Sequence, residues 1–219
     1  MNPASREPPK APAASVDGAW VTEGRSPAAP AEAPAPVRAA GRWPSVLIVM
    51  GVSGCGKSTI GTLLAERLQW KFDDADRFHP AANIEKMRAG TPLTDEDRWP
   101  WLRAVAAAID KMRGGDVGGV IACSALKRRY RDVLIGDRAD VRLVYLKGSE
   151  ELISRRLAAR HGHFMPRSLL HSQFVALEEP GPDETPITIS VEPTPPEIVA
   201  KILAMLKAGA KTGPAGFTS

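Results

Sequence analysis

Two stretches of the chain hold residue types whose spacing can do chemistry. The first is GVSGCGKST, residues 51–59, in which Gly51, Gly56, Lys57 and Ser58 satisfy the pattern G-x-x-x-x-G-K-[ST]. That chemistry is phosphate binding. Glycines let backbone N–H groups turn inward onto phosphate oxygens with no Cβ in the way. A helix beginning near Lys57 points its positive end at the same anions. Lys57 is expected to reach the β and γ phosphates, and the Ser58 hydroxyl to ligate Mg²⁺. The loop Gly51, Val52, Ser53, Gly54, Cys55, Gly56, Lys57, Ser58 and Thr59 is therefore read as a nucleoside triphosphate site. Cys55 occupies a free position of the pattern, where any small residue serves. The sharper alternative is a thiol whose pKa the helix N-terminus lowers. The first reading is preferred.

The second stretch is DDAD, residues 73–76. Acids two residues apart at a strand end face the same way if the extended geometry persists. One carboxylate can help hold a metal while the other takes the proton of an acceptor hydroxyl. A polar turn of solvated acids fits the same spacing equally well.

These residues need elements to hold them. VLIVM, residues 46–50, is a continuous apolar run rich in β-branched residues, as a strand buried on both faces should be. Behind the loop, Ile60, Leu63, Leu64 and Leu68 recur at helical spacing. A second strand is expected at Lys71 and Phe72, ending in DDAD, with helices near residues 81–89 and 95–113. GGVIACSA (118–125) reads as another buried strand and KRRYRDVLI (127–135) as its helix. VRLVYLKG (141–148) and ITISVE (187–192) read as strands, EELISRRLAAR (150–160) and residues 196–207 as helices. Alternation of this kind implies a doubly wound α/β fold, a parallel sheet with helices on both faces.

The chain has 219 residues, 43% of them hydrophobic, enough for one core. Residues 1–43 are an Ala/Pro-rich stretch that buries too little apolar area to offset its ordering entropy, and a disordered tail is expected there. The domain is expected over 44–210, with 211–219 a flexible C-terminus. The net charge of +4 is spread along the chain, which suits an anionic small substrate better than nucleic acid. Two cysteines, Cys55 and Cys123, make no disulfide framework and fit a reducing, cytoplasmic setting. No apolar stretch approaches the roughly 18 residues of a membrane span, and no secretory signal pattern opens the chain.

Phosphate-loop proteins divide into switches, motors and kinases. A GTPase would need a guanine-reading Asn-Lys-x-Asp, and Asn2 and Asn83 are in no such context. A motor ATPase should end a later strand in an acid, whereas VIACSA ends in Cys and Ser. A small-molecule kinase suits the chain best, with its acceptor site near DDAD.

FDDADRFHPAANIEKMRAGTPLTDEDRWPWL (72–102), CSALKRRYRD (123–132), YLKG (145–148), ARHGHFMP (159–166) and QFVALEEPGPDE (173–184), together with the loop, resemble the gluconokinases of the thermoresistant P-loop type. They run in order across the domain from Val46 to about residue 207. The resemblance implies the P-loop kinase fold with a short lid, and transfer from ATP, with Mg²⁺, to the 6-hydroxyl of D-gluconate. That reaction feeds the pentose phosphate or Entner–Doudoroff routes of sugar-acid catabolism. A homodimer is a further expectation.

By the same resemblance Asp74 falls at a metal-associated acid and Asp76 at a substrate-contacting acid. ARHGHFMP falls at the lid, and Arg160 at its phosphate-contacting arginine; read alone, Arg160 is a solvated cation at a helix end. A substrate carboxylate calls for cationic or neutral donors, and His79, Arg98, Lys127 and Arg131 sit in the matching motifs, Lys127 ranked first. KRRYR read alone also fits a solvated basic face or a nucleic-acid patch. The region matching the adenine contact is SVEPTPPE (190–197), whose extra prolines leave single residues unassigned.

Overall fold

The computed structural model describes residues 43–159 and 167–211. The tail before Trp43, Arg160 with the rest of the lid motif to Pro166, and residues 212–219 lie outside the described residues.

The apolar run 46–50 forms the central strand β1 (Val46–Met50), and all five of its residues are buried. Around it stand β2 (Lys71–Asp74), β3 (Gly119–Ala122), β4 (Val141–Lys147) and β5 (Ile187–Ser190), all pairing parallel in the order β2-β3-β1-β4-β5. Parallel strands need crossovers, and helices supply them. These are α1 (Lys57–Leu68), α2 (Ala81–Arg88), α3 (Asp95–Arg113), α4 (Arg128–Leu134), α5 (Glu150–Ala158), α6 (Arg167–Ala176) and α7 (Pro195–Lys211).

The pleat of β1 splits the core in two. Leu47 and Val49 join Ile60, Leu64, Ile198 and Ile202 under α1 and α7. Val46, Ile48 and Met50 join Trp101, Val105, Ile109 and Leu134 under α3 and α4. Each such side chain, fully buried, contributes about 1.5–3 kcal/mol of transfer free energy. No helix among the described residues is long and apolar enough to cross a membrane.

Several boundaries differ from the sequence reading. β3 stops at Ala122, because the chain bends out of the sheet and reaches a left-handed residue at Ala125 (φ 43°). α7 runs longer than expected, from Pro195 to Lys211. Helix α6 has no counterpart in the sequence reading; RSLLHSQFVA shows only a weak apolar stripe. α3 begins where expected, because Thr94 and Asp97 close a reciprocal capping box ahead of it.

One close approach positions the site. A Cβ on Gly61 of α1 would lie 2.6 Å from the Phe72 ring of β2. Glycine there lets the helix behind the phosphate loop settle onto the strand that carries the acids.

Candidate active site

The phosphate loop leaves the carboxyl end of β1 and enters α1 through Gly56. At Gly51 the backbone takes φ 145°, and a Cβ would stand 2.8 Å from Cys55 Sγ and 3.0 Å from the Leu146 carbonyl. Glycine is therefore required twice over, by conformation and by space. Val52 and Cys55 are buried, Ser53, Gly54, Gly56 and Lys57 half-buried, and Ser58 and Thr59 exposed in the first turn of α1. Lys57 Nζ donates to the Val52 carbonyl at 3.1 Å, which folds the amine back over the loop.

The second expected cluster meets the first. Ser58 Oγ donates to Asp74 Oδ2 at 2.7 Å, so hydroxyl and carboxylate lie side by side. The extended geometry ends at Asp74, and Asp76 stands in a short 3-10 turn, Ala75–Phe78. Asp74 caps that turn: its Oδ1 accepts from the Asp76 amide at 3.1 Å. The two carboxylates are thus brought together by a cap and not by a shared strand face. Surrounding protein and then the Asp74 charge raise the Asp76 carboxyl above its ordinary range, against a smaller pull from Lys57. Solvent still reaches Asp76. An oxygen pair such as Ser58 and Asp74 suits a hard cation that keeps waters and phosphate oxygens as its other ligands. No group of three or more His, Cys, Asp or Glu able to hold a metal occurs among the described residues.

Beyond the acids, Trp101 Nε1 donates to the Ala75 carbonyl at 2.7 Å and fixes the turn. The same indole stacks on His79 at 4.3 Å between centroids. Burial and then Arg98 lower His79 to about 4, so its ring is neutral at pH 7. Asn83, buried, turns Nδ2 toward His79 Nδ1 at 3.4 Å and donates to the Asp97 carbonyl at 2.8 Å. That pairing leaves Nε2 as the protonated nitrogen, a neutral donor.

Arg98, Lys127 and Arg129 place their charges 5.8, 5.6 and 5.8 Å from the Tyr130 ring centroid. Asp95, the first residue of α3, pairs with Lys127 at 3.2 Å and with Arg129, and accepts from the Tyr130 hydroxyl. Asp95, Arg129, Tyr130 and Asn83 are additions to the expected set, as is Gln173 of α6, whose Oε1 accepts from the Ser53 amide at 2.6 Å. Their signal in the sequence was membership of the motifs TPLTDEDR, KRRYR, HPAAN and QFVALEEP, which mark a region without separating its residues.

Arg131 requires a correction. Its side chain is 1% exposed and sits beneath α4. Nε and Nη2 grip Glu184 at 2.5 and 2.9 Å, and Nη1 donates to the carbonyls of Ala125, Leu126 and Glu178. A guanidinium so enclosed, with its carboxylate partner already in place, is closed to a substrate carboxylate. It ties the segment 178–184 to α4.

The thiol alternative for Cys55 also fails. Burial pushes its pKa up, and the opposing charge of Lys57 does not cancel that; burial likewise pushes Cys123 up to about 12. Neither thiol is expected to react with a disulfide reagent in the native protein near pH 8, while both should titrate once it is unfolded. Rapid native-state labelling of Cys55 with loss of ATP binding would contradict this.

A parallel sheet, a phosphate loop and an acid pair at the carboxyl ends of β1 and β2 define a P-loop kinase acting on a small molecule. The shikimate kinase family model matches residues 53–206. A gluconokinase from Gluconobacter oxydans is 45% identical over 168 residues, covering 77% of this chain and 94% of that protein. The thermoresistant gluconokinase of Escherichia coli is 42% identical over 165 residues, covering 75% and 94%. The crystal structure of a gluconokinase from Sinorhizobium meliloti is 43% identical with a TM-score of 0.70, covering 78% of this chain and 97% of that one. The chain belongs to the gluconokinase family, within the shikimate-kinase-like kinases.

Proposed function

We propose that this protein transfers the γ-phosphoryl group of ATP to the 6-hydroxyl of D-gluconate, giving 6-phosphogluconate and ADP. The observation that carries the mechanism is the joined cluster of Ser58, Asp74 and Asp76 beside Lys57. Its identity as a gluconate site rests on the relatives named above.

Asp76 orients the acceptor hydroxyl and takes its proton. The O6–Pγ bond forms as the bond from Pγ to the β,γ-bridging oxygen breaks, and the electron pair leaves on ADP. Lys57 and the loop amides hold the phosphates in line. Ser58 and Asp74 would hold Mg²⁺, which when bound neutralises charge on the β and γ phosphate oxygens. Lys127 and Arg98 supply charge for the substrate carboxylate, and His79 a neutral donor. Arg160 is assigned to the transferred phosphoryl group. The catalytic domain is residues 44–210, and the setting cytoplasmic.

The deciding experiment measures ADP release with gluconate, shikimate and nucleoside monophosphates offered side by side. Gluconate alone should support turnover; release with shikimate and not gluconate would overturn the reading. Asp74→Asn should raise the Mg²⁺ concentration for half-maximal rate by about 10-fold, since one charged ligand is lost while Ser58 and the phosphates remain. An unchanged magnesium dependence would remove Asp74 from the metal site.

A further inference from the structure

Gln173 lies in α6, 120 residues along the chain from the phosphate loop, yet its Oε1 accepts from the Ser53 amide at 2.6 Å. The carbonyl of the same peptide unit, that of Val52, holds Lys57 Nζ at 3.1 Å. One peptide of the loop is thus gripped at both poles, by the amine expected on the phosphates and by a neutral carboxamide.

With Oε1 committed to the Ser53 amide, the donor end of the carboxamide, Nε2, stands beside the same stretch of loop. Among the described residues no group accepts from Nε2, and none of their buried side-chain polar atoms lacks a partner. Nε2 is therefore not sealed from solvent, and among the described residues its two N–H donors are unspent. A purely structural tether from α6 would need only the acceptor end.

We propose that Gln173 is a catalytic residue whose Nε2 donates to an equatorial oxygen of the γ-phosphoryl group, the Ser53 amide holding it in place. The inference rests on the kinase reading above. Charge spreads over the equatorial oxygens during transfer, and a fixed neutral donor strengthens as that charge develops, adding no charge of its own to the empty loop.

Gln173→Glu separates this role from tethering. Glutamate keeps an oxygen for the Ser53 amide and so keeps the tether, but replaces the donor by an anion facing phosphate. Gln173→Ala removes both. Each is compared with the wild-type full chain for melting temperature, for binding of ADP and of a non-hydrolysable ATP analogue, and for steady-state rates.

The Gln173→Glu variant is expected to melt with the wild type and bind ADP normally. It should bind the triphosphate analogue at least about 10-fold more weakly and lose about 10² in kcat or more. Gln173→Ala should lose about 10² in kcat with the gluconate KM little changed. Wild-type kcat and analogue binding in Gln173→Glu, with a lowered melting temperature in Gln173→Ala, would show that Gln173 is only a tether and overturn the inference. Should the wild type use another acceptor, the same comparison is made with that acceptor, so the failure of the gluconate reading remains a separate result.

Discussion

Asp76→Asn is expected to lower kcat for gluconate by about 10² to 10⁴ and to leave ATP affinity nearly unchanged, because Lys57 and the loop amides remain. A sugar hydroxyl is a poor nucleophile, and asparagine keeps the shape of the side chain while losing its charge and basicity. The environment sharpens the expectation. The surrounding protein and then the Asp74 charge raise the Asp76 carboxyl, which makes it a stronger base than an ordinary aspartate. The base works only when deprotonated, so wild-type kcat should fall as pH drops through that raised pKa. The Asn variant should lose this acid limb along with the rate. Steady-state kinetics of both proteins from pH 4 to pH 8 measure both effects. Turnover of the variant near the wild-type rate would mean that another group takes the proton.

The loop was legible because its signal is local, whereas the acids were marked out by the family resemblance and not by their spacing, since the extended geometry ends at Asp74. G-x-x-x-x-G-K-[ST] fixes a backbone shape, and the run Val46–Met50 has the composition of a strand covered on both sides. The joining of Ser58 to Asp74 was anticipated only as a metal pair, since nothing in the spacing gives their 2.7 Å contact. KRRYR shows why the rest was hidden. In sequence its cations are equivalent, but about 100° of rotation per residue along α4 sends them to different places. Arg128 pairs outward with Asp132 and Asp183, Arg129 reaches Asp95, and Arg131 turns inside to Glu184. Gln173 was hidden for the same reason: its partner lies 120 residues away, and no local pattern encodes that contact.

Arg131→Ala is expected to cost about 3–5 kcal/mol of stability, which for a domain of this size lowers Tm by roughly 6–20 °C. The cost comes less from the attraction lost than from what remains. Glu184, only 6% exposed, would keep its charge without its bidentate partner, and the carbonyls of Ala125, Leu126 and Glu178 would lose their donor. Arg131→Lys should recover only part, because one ammonium cannot replace a planar fork that serves a carboxylate and three carbonyls. The paired change Arg131→Leu with Glu184→Leu should recover more of the carboxylate's share, since no charge is left buried. In the wild type, burial pushes Glu184 up, but the Arg131 hydrogen bonds, the Gly181 amide and the charges of Arg131 and Arg128 outweigh it and hold the carboxyl below its ordinary range. A depressed carboxyl contributes stability that is present above its unfolded pKa and lost as pH falls through the folded one. Without Arg131, burial dominates and Glu184 takes up a proton more readily, which relieves the stranded charge. The gap between wild type and Arg131→Ala should therefore narrow as pH falls through the carboxylate range, from above the ordinary glutamate value down to the depressed wild-type one. Thermal unfolding across that pH series, beside gluconate KM at pH 7, decides the residue's role. A variant that keeps its melting temperature while its KM for gluconate rises would return Arg131 to the substrate site.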